Sequence, residues 1–309
     1  MNNYEKIFQN RKTVVSLGNC NVDLVYLVDK IPLADEEALA VDFKTFPGGS
    51  ASNFAVAISK FGYCSKMIGI LGSDHYGIFL LDNFKQSGVD VSKVRIVKGP
   101  TGRVLILVEK GTGNRAMIAF RGVNLKLSEL NISEKEFENV DHFHTSSTSI
   151  KIILDVFKKA KNRGCTVSYD PGGPVIRNEY MFFNKIADYI DILFLNKIEY
   201  EILHEKGCID YFFDNDVLIV VKMGKKGSAV YQKDKITRTN GFSVKVVDTT
   251  GAGDVFDAGF VACWLYKKDP RMCSIFANAV AALKIQKMGA QAIPDKDEIF
   301  AFLKEHGIF

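Results

Sequence analysis

The sequence predicts an α/β protein built on a mainly parallel β-sheet with helices on both faces. The first observation is that short apolar and β-branched runs alternate along the chain with longer segments of helical periodicity. Such runs are typical of strands buried on both faces, and their alternation with helices is typical of parallel sheets. The second observation is that two segments, 23–46 and 103–120, interrupt the alternation with extended chain. We therefore expect three layers, α/β/α, with a small additional β-sheet.

Strands and helices can be placed along most of the chain. Five strands follow from apolar runs bounded by turn residues, at 13–17, 66–70, 166–169, 192–195 and 217–221. Three helices are expected where apolar residues recur at the spacing of one helical face, at 51–61, 149–163 and 254–267. A further strand is expected at 242–247, running into Asp248.

The two interrupting segments contain strand-like runs and no clear helix. In the second, the runs are joined by Lys110-Gly-Thr-Gly-Asn114, and glycines with access to positive φ are typical of a hairpin turn. Such insertions fit a lid over a site, and they also fit an extension of the main sheet. Because no long Pro- or Ser-rich linker divides the chain, we expect a single domain over 1–309.

Composition excludes several classes of protein. Of the 309 residues, 47% are hydrophobic and 25% are charged, which is ordinary for a globular chain and excludes a largely disordered one. A net charge of +4 argues against a nucleic-acid partner. Six cysteines without a C-x-x-C pair favour reduced thiols in a cytoplasmic protein. With no long apolar run and no apolar leader, we expect no membrane partner.

The segment 247–260 carries the sharpest chemical signal. Gly251, Ala252 and Gly253 form a glycine-rich turn at the start of a predicted helix, where backbone N–H groups can bind an anion. A carboxylate at Asp254 would repel that anion unless it has another task, such as accepting a proton from a neighbouring hydroxyl. This arrangement suits phosphoryl transfer. The alternative is a first-turn carboxylate that is simply favoured by the helix dipole.

This segment resembles the C-terminal signature of the ribokinase-like (PfkB) carbohydrate kinases. The segments Phe46-Pro-Gly-Gly-Ser-Ala-Ser-Asn53 and Ile68-Gly-Ile-Leu-Gly-Ser-Asp-His-Tyr-Gly77 are similar to the N-terminal signature of that family. Further similarities follow in family order from residue 18 to residue 291. The resemblance implies a ribokinase-like fold with a β lid at about 23–47 and 100–122.

The resemblance also implies which residues bind the substrate. Asn21 and Asp23 would hydrogen-bond its hydroxyl groups, because side chains two apart on an extended segment point the same way. Gly48 and Gly49 would let the backbone approach a sugar, and Asn53 would add a polar contact. Each residue also has a plain structural alternative, for example a turn position for Asn21.

Asp254 would be the general base of the family mechanism, and Gly251, Ala252 and Gly253 would stabilise the γ-phosphoryl group of ATP. Asn196 and Glu199, from the family's N-x-x-E element, would organise Mg²⁺ through water molecules. The alternative for this pair is a helix cap with a first-turn acid.

The nucleotide would lie against a second group of residues, namely Lys222, Gly224, Gly227, Gly251, Gly253 and Asn278. Asp248 maps onto the monovalent-cation site of some family members. The tail Gly289-Ala-Gln291 lacks the serine that ribokinases place just after it, which argues against activation by K⁺. The expected cofactors are thus ATP and Mg²⁺, with K⁺ left open.

Departures from the family pattern bear on the substrate. Ribokinases carry a glutamate where this chain has a Thr/Ser-rich segment at 145–149, and a lysine where it has Ser50. Ribose is therefore not favoured, while 2-keto-3-deoxygluconate, fructose and nucleosides stay open. We expect an ATP-dependent kinase acting on a primary hydroxyl of a sugar or sugar-like molecule, as a homodimer.

Three other functions are alternatives to this expectation. They are a nucleoside kinase with the same machinery, a noncatalytic sugar-binding member and a nicotinamide dehydrogenase. The intact segment around Asp254 argues against a noncatalytic member. The dehydrogenase would rest on Gly111-Thr-Gly-Asn-Arg-Ala116, which lies between two strand-like runs instead of between a strand and a helix.

Overall fold

The computed structural model describes residues 4–9, 11–267 and 269–308, and strands alternate with helices along them. The strands are β1 (Thr13–Gly18), β2 (Asn21–Val28), β3 (Ala40–Gly48), β4 (Cys64–Gly72), β5 (Asp90–Val97), β6 (Gly102–Glu109), β7 (Arg115–Phe120), β8 (His142–Ser146), β9 (Thr166–Asp170), β10 (Ile192–Asn196), β11 (Leu218–Lys222), β12 (Ser228–Gln232) and β13 (Lys235–Thr239). The α-helices are α1 (Ser50–Lys60), α2 (His75–Gln86), α3 (Ile150–Asn162), α4 (Gly172–Glu179), α5 (Lys197–Glu205), α6 (Ile209–Asp214), α7 (Ala252–Tyr266), α8 (Pro270–Lys284) and α9 (Lys296–Glu305).

The larger sheet has nine strands in the order β13-β12-β11-β10-β9-β8-β1-β4-β5. The strands from β11 to β5 are parallel, and β12 and β13 continue the sheet as antiparallel strands at one edge. Strand β1 lies between β4 and β8; the chain adds β4 and β5 on one side of β1 and then crosses to add β8 and β9 on the other. In open α/β sheets a crevice forms at the carboxyl ends of the strands at such a point.

The smaller sheet has four strands in the order β3-β2-β6-β7. Strands β6 and β7 form the antiparallel hairpin that the sequence predicts, with its turn at 110–114. Strand β2 pairs with β3 in antiparallel and with β6 in parallel fashion. The two interrupting segments therefore form a sheet of their own and do not extend the larger one.

Two apolar clusters cover the two faces of the larger sheet. One lies under α1, α7, α8 and α9 and includes Phe54, Phe260 and Phe276, all fully buried. The other lies under α3, α4, α5 and α6 and includes Phe157 and Phe183. The predicted three-layer α/β/α architecture is thus confirmed. In the described ranges, none of the helices is both long and apolar enough to cross a membrane.

The prediction of a strand at 242–247 is wrong. These residues form no strand, and the N–H groups of Val247 and Asp248 donate instead to the carbonyl of Ile285, at 2.8 and 3.0 Å. The apolar side chains of Phe242, Val244 and Val246 line a cavity. These hydrophobic side chains therefore form the wall of a cavity and not the interior of a sheet.

Candidate active site

The carboxyl ends of the parallel strands bring together polar residues from distant parts of the chain. Ser146 ends β8, Asp170 ends β9 and Lys222 ends β11. The first turn of α7, with Asp254, faces the same edge, because the Lys222 ammonium interacts electrostatically with Asp254 and lies near Gly253. This crevice is the candidate active site.

The turn before α7 requires glycine at one position. Gly251 caps the helix in the left-handed region, with φ 74°. A Cβ atom there would also approach the carbonyl oxygen of Ala290 to 2.7 Å. The N–H of Ala252 donates to Thr249 O at 3.2 Å, which closes the turn. The next N–H groups of the helix have no intrahelical partner, and such groups can bind an anion.

Asp254 lies in the first turn of α7, and its Oδ2 accepts a hydrogen bond of 2.8 Å from Asn53 Nδ2. Loss of hydration raises the pKa of Asp254 to about 6; the hydrogen bond from Asn53 opposes this shift, the nearby Asp170 adds to it, and Lys222 and Ser50 oppose it. A carboxylate with such a pKa is largely ionised at neutral pH and is a stronger base than an ordinary aspartate. The environment of Asp254 therefore suits a role as proton acceptor.

Lys222 lies in a cluster of buried charges. Its Nζ is 2.6 Å from Asp170 Oδ2 and 3.0 Å from both carboxylate oxygens of Asp257. Burial opposes the charged form of Lys222, but the two carboxylates outweigh it and raise the lysine pKa. A Cβ on Gly253 would lie 3.4 Å from Nζ, so a fixed ammonium group lies beside the glycine turn.

Asp257 was missed by the sequence reasoning. It lies three residues after Asp254 on α7, and residues three apart share one face of a helix. The spacing of three residues from Asp254 is the sequence signal that could have identified Asp257. The role of Asp257 depends on Lys222, which is 35 positions away in the sequence.

Among the predicted substrate residues, Asn21 and Asp23 lie on β2 and Gly48 ends β3, while Gly49 caps α1 and Asn53 lies in its first turn. Asn21 pairs with Gly48 across the two strands. Asp23 is buried; this burial, together with the charges of Asp254 and Asp248, raises its pKa to about 7. A Cβ on Gly48 would collide with the carboxyl group of Asp23, and one on Gly49 with the carbonyl of Asn19. Gly49, with φ 96°, is therefore required by the backbone, and Gly48 leaves the space that the Asp23 carboxyl group fills.

Asn124 holds Asn21 in place. Its Nδ2 donates to Asn21 Oδ1 at 2.9 Å and to the carbonyl of Cys20 at 3.1 Å, and its Oδ1 accepts from the N–H of Cys20. Asn124 is buried, and its hydrogen bond orients the side chain of Asn21.

Asn196 and Glu199 form a reciprocal cap at the start of α5. Asn196 Oδ1 accepts from the N–H of Glu199 at 2.9 Å, and Glu199 Oε2 accepts from the N–H of Asn196 at 2.8 Å. Burial and the nearby Asp170 raise the pKa of Glu199, while hydrogen bonding and Lys222 oppose that rise. The cap uses one carboxylate oxygen and leaves the other for a ligand.

In the described part of the chain, no group of three or more His, Cys, Asp or Glu side chains could hold a metal. Mg²⁺ is commonly bound by one or two carboxylates together with water and substrate phosphates. The donor set at Asn196 and Glu199 fits such an ion.

A cavity of about 600 Å³ lies beside the glycine turn. It brings together most of the predicted nucleotide residues, namely Lys222, Gly224, Gly227, Gly253 and Asn278. Apolar side chains such as Phe242 and Ile285 form other parts of its wall. Apolar walls with a few polar groups are typical of ligand pockets.

Asp248 is surrounded by donors. Its carboxylate accepts from the N–H and hydroxyl of Thr250 and from the N–H of Gly289, at 2.7 to 2.9 Å. Burial alone would raise its pKa, but the Thr250 hydrogen bonds and the charge of Lys284 hold it below the usual value. The Lys284 ammonium also donates to the Asp248 carbonyl at 2.9 Å. A lysine that the sequence reasoning missed thus places a cation at the predicted monovalent-cation site.

Arg115 connects the smaller sheet to the glycine turn. From the start of β7 its guanidinium donates to Thr249 Oγ1 at 2.7 Å and to Thr250 Oγ1 at 3.0 Å. A second cavity of about 600 Å³ lies between these elements and is lined by Phe46, Arg115 and Met288, among others.

Comparison with known proteins identifies the family of the chain. Residues 11–297 match the model of the pfkB family of carbohydrate kinases. The chain is a member of the PfkB family. The resemblance seen in the sequence is thereby confirmed.

Curated relatives of this PfkB kinase carry kinase names. The chain is 34% identical to the ATP-dependent ribose-1-phosphate kinase of Halopiger xanaduensis, over 94% of this chain and 98% of that one. It is 30% identical to the ribokinase of Haemophilus influenzae, over 95% and 99% of the two chains.

Solved structures of PfkB kinases share the fold. The nucleoside kinase of Methanocaldococcus jannaschii, described as an archaeal member of the ribokinase family, matches with a TM-score of 0.87 at 26% identity, covering 96% of this chain and all of that one. The ribokinase of Thermotoga maritima matches with a TM-score of 0.83 at 30% identity and the same coverage. This PfkB kinase is thus an ATP-dependent phosphotransferase acting on a hydroxyl of a sugar or nucleoside.

Proposed function

We propose that this chain transfers the γ-phosphoryl group of Mg²⁺-ATP to a primary hydroxyl of a sugar or sugar phosphate, with Asp254 as general base. The observation that carries this proposal is the position of Asp254. Its carboxylate lies at the glycine turn of α7, and it interacts electrostatically with Asp23 on the substrate side and with Lys222 on the nucleotide side. A base at that point can reach a hydroxyl that faces a bound phosphate.

The reaction needs one proton transfer and one phosphoryl transfer. Asp254 takes the proton of the substrate hydroxyl as its oxygen attacks the γ-phosphorus, and the bond to the bridging oxygen of ATP breaks. The N–H groups of Gly251, Ala252 and Gly253 are proposed to stabilise the charge on the γ-phosphoryl oxygens. The ammonium of Lys222, fixed beside Gly253, adds a positive charge at the same place.

Other residues bind and orient the reactants. Asn21 and Asp23 are proposed to hold substrate hydroxyls, with Gly48, Gly49 and Asn53 completing that side. The cavity lined by Gly224, Gly227 and Asn278 is proposed to hold the nucleotide.

Asn196 and Glu199 would hold Mg²⁺ through water. That ion would neutralise phosphate charge.

The proposal of a phosphorylated sugar rests on a smaller cavity at the end of β8. It has a volume of about 250 Å³ and is lined by Asn19, Arg121 and Ser147, among others. Its hydroxyl groups and the Arg121 guanidinium suit an anionic substituent. The carboxylate of Glu179 in the same wall is already engaged by the Ser149 hydroxyl and the N–H of Ile150. The relative named ribose-1-phosphate kinase supports this choice.

A nucleoside is the second candidate substrate. It is favoured by the similarity to the nucleoside kinase of M. jannaschii, which has the higher TM-score of the two structures compared. A nucleoside would place its base where a sugar phosphate places its anionic group.

The segments 23–47 and 100–122 are proposed to act as a lid within a single catalytic domain. The contacts of Arg115 with Thr249 and Thr250 support this role, because they join the smaller sheet to the glycine turn. A closed lid excludes water, which would otherwise compete with the substrate as nucleophile.

The lid is also proposed to form the contact of a homodimer. Phe43, Ile118 and Phe120 are 48%, 67% and 50% exposed on its strands, which is a large apolar area for a free surface. The protein is further proposed to be cytoplasmic, which agrees with free thiols at all six cysteines.

A substrate panel tests the proposed function. ATP consumption is measured with Mg²⁺ over pentoses, hexoses, keto-deoxy acids, ribose 1-phosphate and nucleosides, in K⁺ and in Na⁺, and again with ADP as donor. Asp254→Asn serves as the inactive control. We expect turnover with a sugar or sugar phosphate; if no hydroxyl compound accelerates ATP consumption, the proposal is wrong.

A further inference from the structure

Three side-chain amides form a continuous series of hydrogen bonds that ends on Asp254. Asn83 Nδ2 donates to Gln291 Oε1 at 2.7 Å, and Gln291 Nε2 donates to Asn53 Oδ1 at 3.1 Å. Asn53 Nδ2 then donates to Asp254 Oδ2 at 2.8 Å. The series joins α2, the segment after α8, α1 and α7.

The direction of every hydrogen bond in this series is set from the carboxylate end. An ionised carboxylate only accepts hydrogen bonds, so Asn53 must turn its NH₂ group toward Asp254. The oxygen of Asn53 then faces Gln291, which must present its own NH₂ group. The oxygen of Gln291 in turn faces Asn83, whose NH₂ group completes the series.

We propose that Gln291 and Asn83 are positioning residues that fix the Asn53 amide with its N–H toward Asp254 and so keep this carboxylate able to accept a proton. The inference rests on the proposed role of Asp254 as general base. Neither positioning residue needs to touch the substrate, because each acts through Asn53.

The charges around Asp254 explain why such a donor matters. The charges of Asp23 on β2 and Asp170 on β9 disfavour the ionised form of Asp254, as does burial. The positive charges of Lys222 on β11 and Lys284 on α8 favour the ionised form of Asp254. The hydrogen bond from Asn53 adds to the two cations, and it holds only while the amide keeps its orientation. Reversal of the amide would place its oxygen against the carboxylate and raise the pKa of Asp254.

Gln291→Glu tests this orientation directly. A carboxylate at position 291 accepts hydrogen bonds from both neighbours, so it competes with Asp254 for the single NH₂ group of Asn53. Whichever way Asn53 turns, its oxygen opposes a carboxylate until a proton is bound. We expect the midpoint of the acid limb of the kcat/KM pH profile to shift to higher pH by about 1 unit.

Two comparison variants and one charge control separate positioning from simple loss of structure. Gln291→Met keeps the size of the side chain and removes the donor without adding an opposing acceptor, so we expect a smaller rise. Asn83→Asp removes the donor that fixes Gln291, and a rise between the two is expected. Gln86→Glu, at an exposed position on α2, adds the same charge outside the series and should leave the profile unchanged.

The protonation of Asp254 can also be followed without turnover. With ¹³C-labelled aspartate, the carboxyl signal that is absent in Asp254→Asn is titrated in each folded variant. We expect the same order of pKa values, highest in Gln291→Glu and lowest in the unchanged protein.

Titration of Asp254 at the same pH in Gln291→Met and in the unchanged protein would overturn the positioning role, because the added charge of Gln291→Glu raises the pKa of Asp254 by itself. So would a larger shift in Gln291→Met than in Gln291→Glu. Near-normal turnover of Asp254→Asn is a separate outcome: it refutes Asp254 as the base, while the ¹³C titration still decides the orientation of Asn53.

Discussion

Lys222 and Asp257 form a two-point ion pair under the glycine turn, with Nζ 3.0 Å from each carboxylate oxygen. The Asp257 side chain is 1% exposed, so its carboxylate is almost completely shielded from solvent. Asp170 holds the same ammonium from β9 at 2.6 Å. The pair therefore links the end of the sheet to the helix that carries Asp254.

Removing one carboxylate from this cluster should destabilise the protein. In Asp257→Asn, Lys222 keeps Asp170 but loses a buried partner, and we expect the free energy of unfolding to fall by about 3 kcal/mol. Urea denaturation measures the change. Asp82→Asn, an exposed position on α2, is the control and should cost less than about 0.5 kcal/mol. A cost for Asp257→Asn as small as that of the control would show that the ion pair adds no stability.

Asp254→Asn should abolish most of the turnover and leave nucleotide binding intact. An amide cannot accept the substrate proton, and general-base catalysis is worth about 10² to 10⁴-fold. We expect kcat to fall by at least about 10³-fold. Calorimetric titration with ATP should give a dissociation constant close to that of the unchanged protein, because the amide keeps the size of the side chain. Turnover within tenfold of normal would contradict the role of Asp254.

Lys284 should make this kinase independent of K⁺. Its ammonium already lies 2.9 Å from the carbonyl of Asp248, and its charge interacts with Asp248 and Asp254. Turnover should therefore be equal in K⁺ and Na⁺. Lys284→Met removes the fixed cation, and we expect kcat to fall about tenfold in Na⁺ and to recover in part with K⁺ or NH₄⁺.

Lys304→Met, on the exposed side of α9, is the control for this experiment and should show no ion dependence. If the unchanged protein requires K⁺, the lysine does not act as the resident cation. Circular dichroism shows whether Lys284→Met is folded before its activity is compared.

The fold and the glycine turn could be predicted from sequence because both are encoded locally. Strands such as Ile192–Asn196 are continuous apolar runs, and the turn at Gly251 requires a left-handed glycine next to a helix start. Local patterns fail where an apolar run has another use. The residues 242–247 read as a strand, yet they line a cavity and are held by the end of α8.

The supporting residues of the site could not be predicted in this way. Gln291 and Asn53 are 238 positions apart, and Arg115 and Thr250 are 135 apart. Neither pairing has a periodicity or a motif of its own. Asp257 could have been identified because it shares a helical face with Asp254, but its partner Lys222 lies on another element.

Arg115 should control how well the lid closes. Arg115→Leu removes the hydrogen bonds to Thr249 and Thr250 and leaves the hairpin intact. We expect a higher KM for the sugar and a severalfold rise in ATP hydrolysis without sugar, because water reaches the turn more often. Phosphate release is measured with and without the acceptor. Arg95→Leu, exposed on β5, is the control, and equal hydrolysis in both variants would contradict a lid function.

The buried histidines of β8 should make folding sensitive to acid. His142 hydrogen-bonds Thr166 Oγ1 and Ser168 Oγ, each at 2.7 Å, and His144 bonds the same Ser168 at 2.8 Å. Burial, with a contribution from Lys161, lowers the pKa of His142 to about 3, and burial also lowers that of His144. Both rings are therefore neutral in the folded protein.

The sign of the effect follows from the protons bound in each state. Below pH ~6.5 the unfolded chain protonates His142 while the folded chain does not, so stability is full above that pH and falls as the pH decreases toward 3. The slope is about 1.4 kcal/mol per pH unit for each histidine. Carboxylates with raised pKa values, such as Asp23, contribute with the opposite sign. The difference between the unchanged protein and His142→Asn cancels their contribution.

Urea denaturation at pH 7 and pH 5 measures that difference. We expect the unchanged protein to lose about 2 kcal/mol more than His142→Asn over this interval. His75→Asn, exposed at the start of α2, should lose as much as the unchanged protein. If His142→Asn loses as much stability as the other two, the histidine is not kept neutral by the fold, and the acid sensitivity must come from other groups.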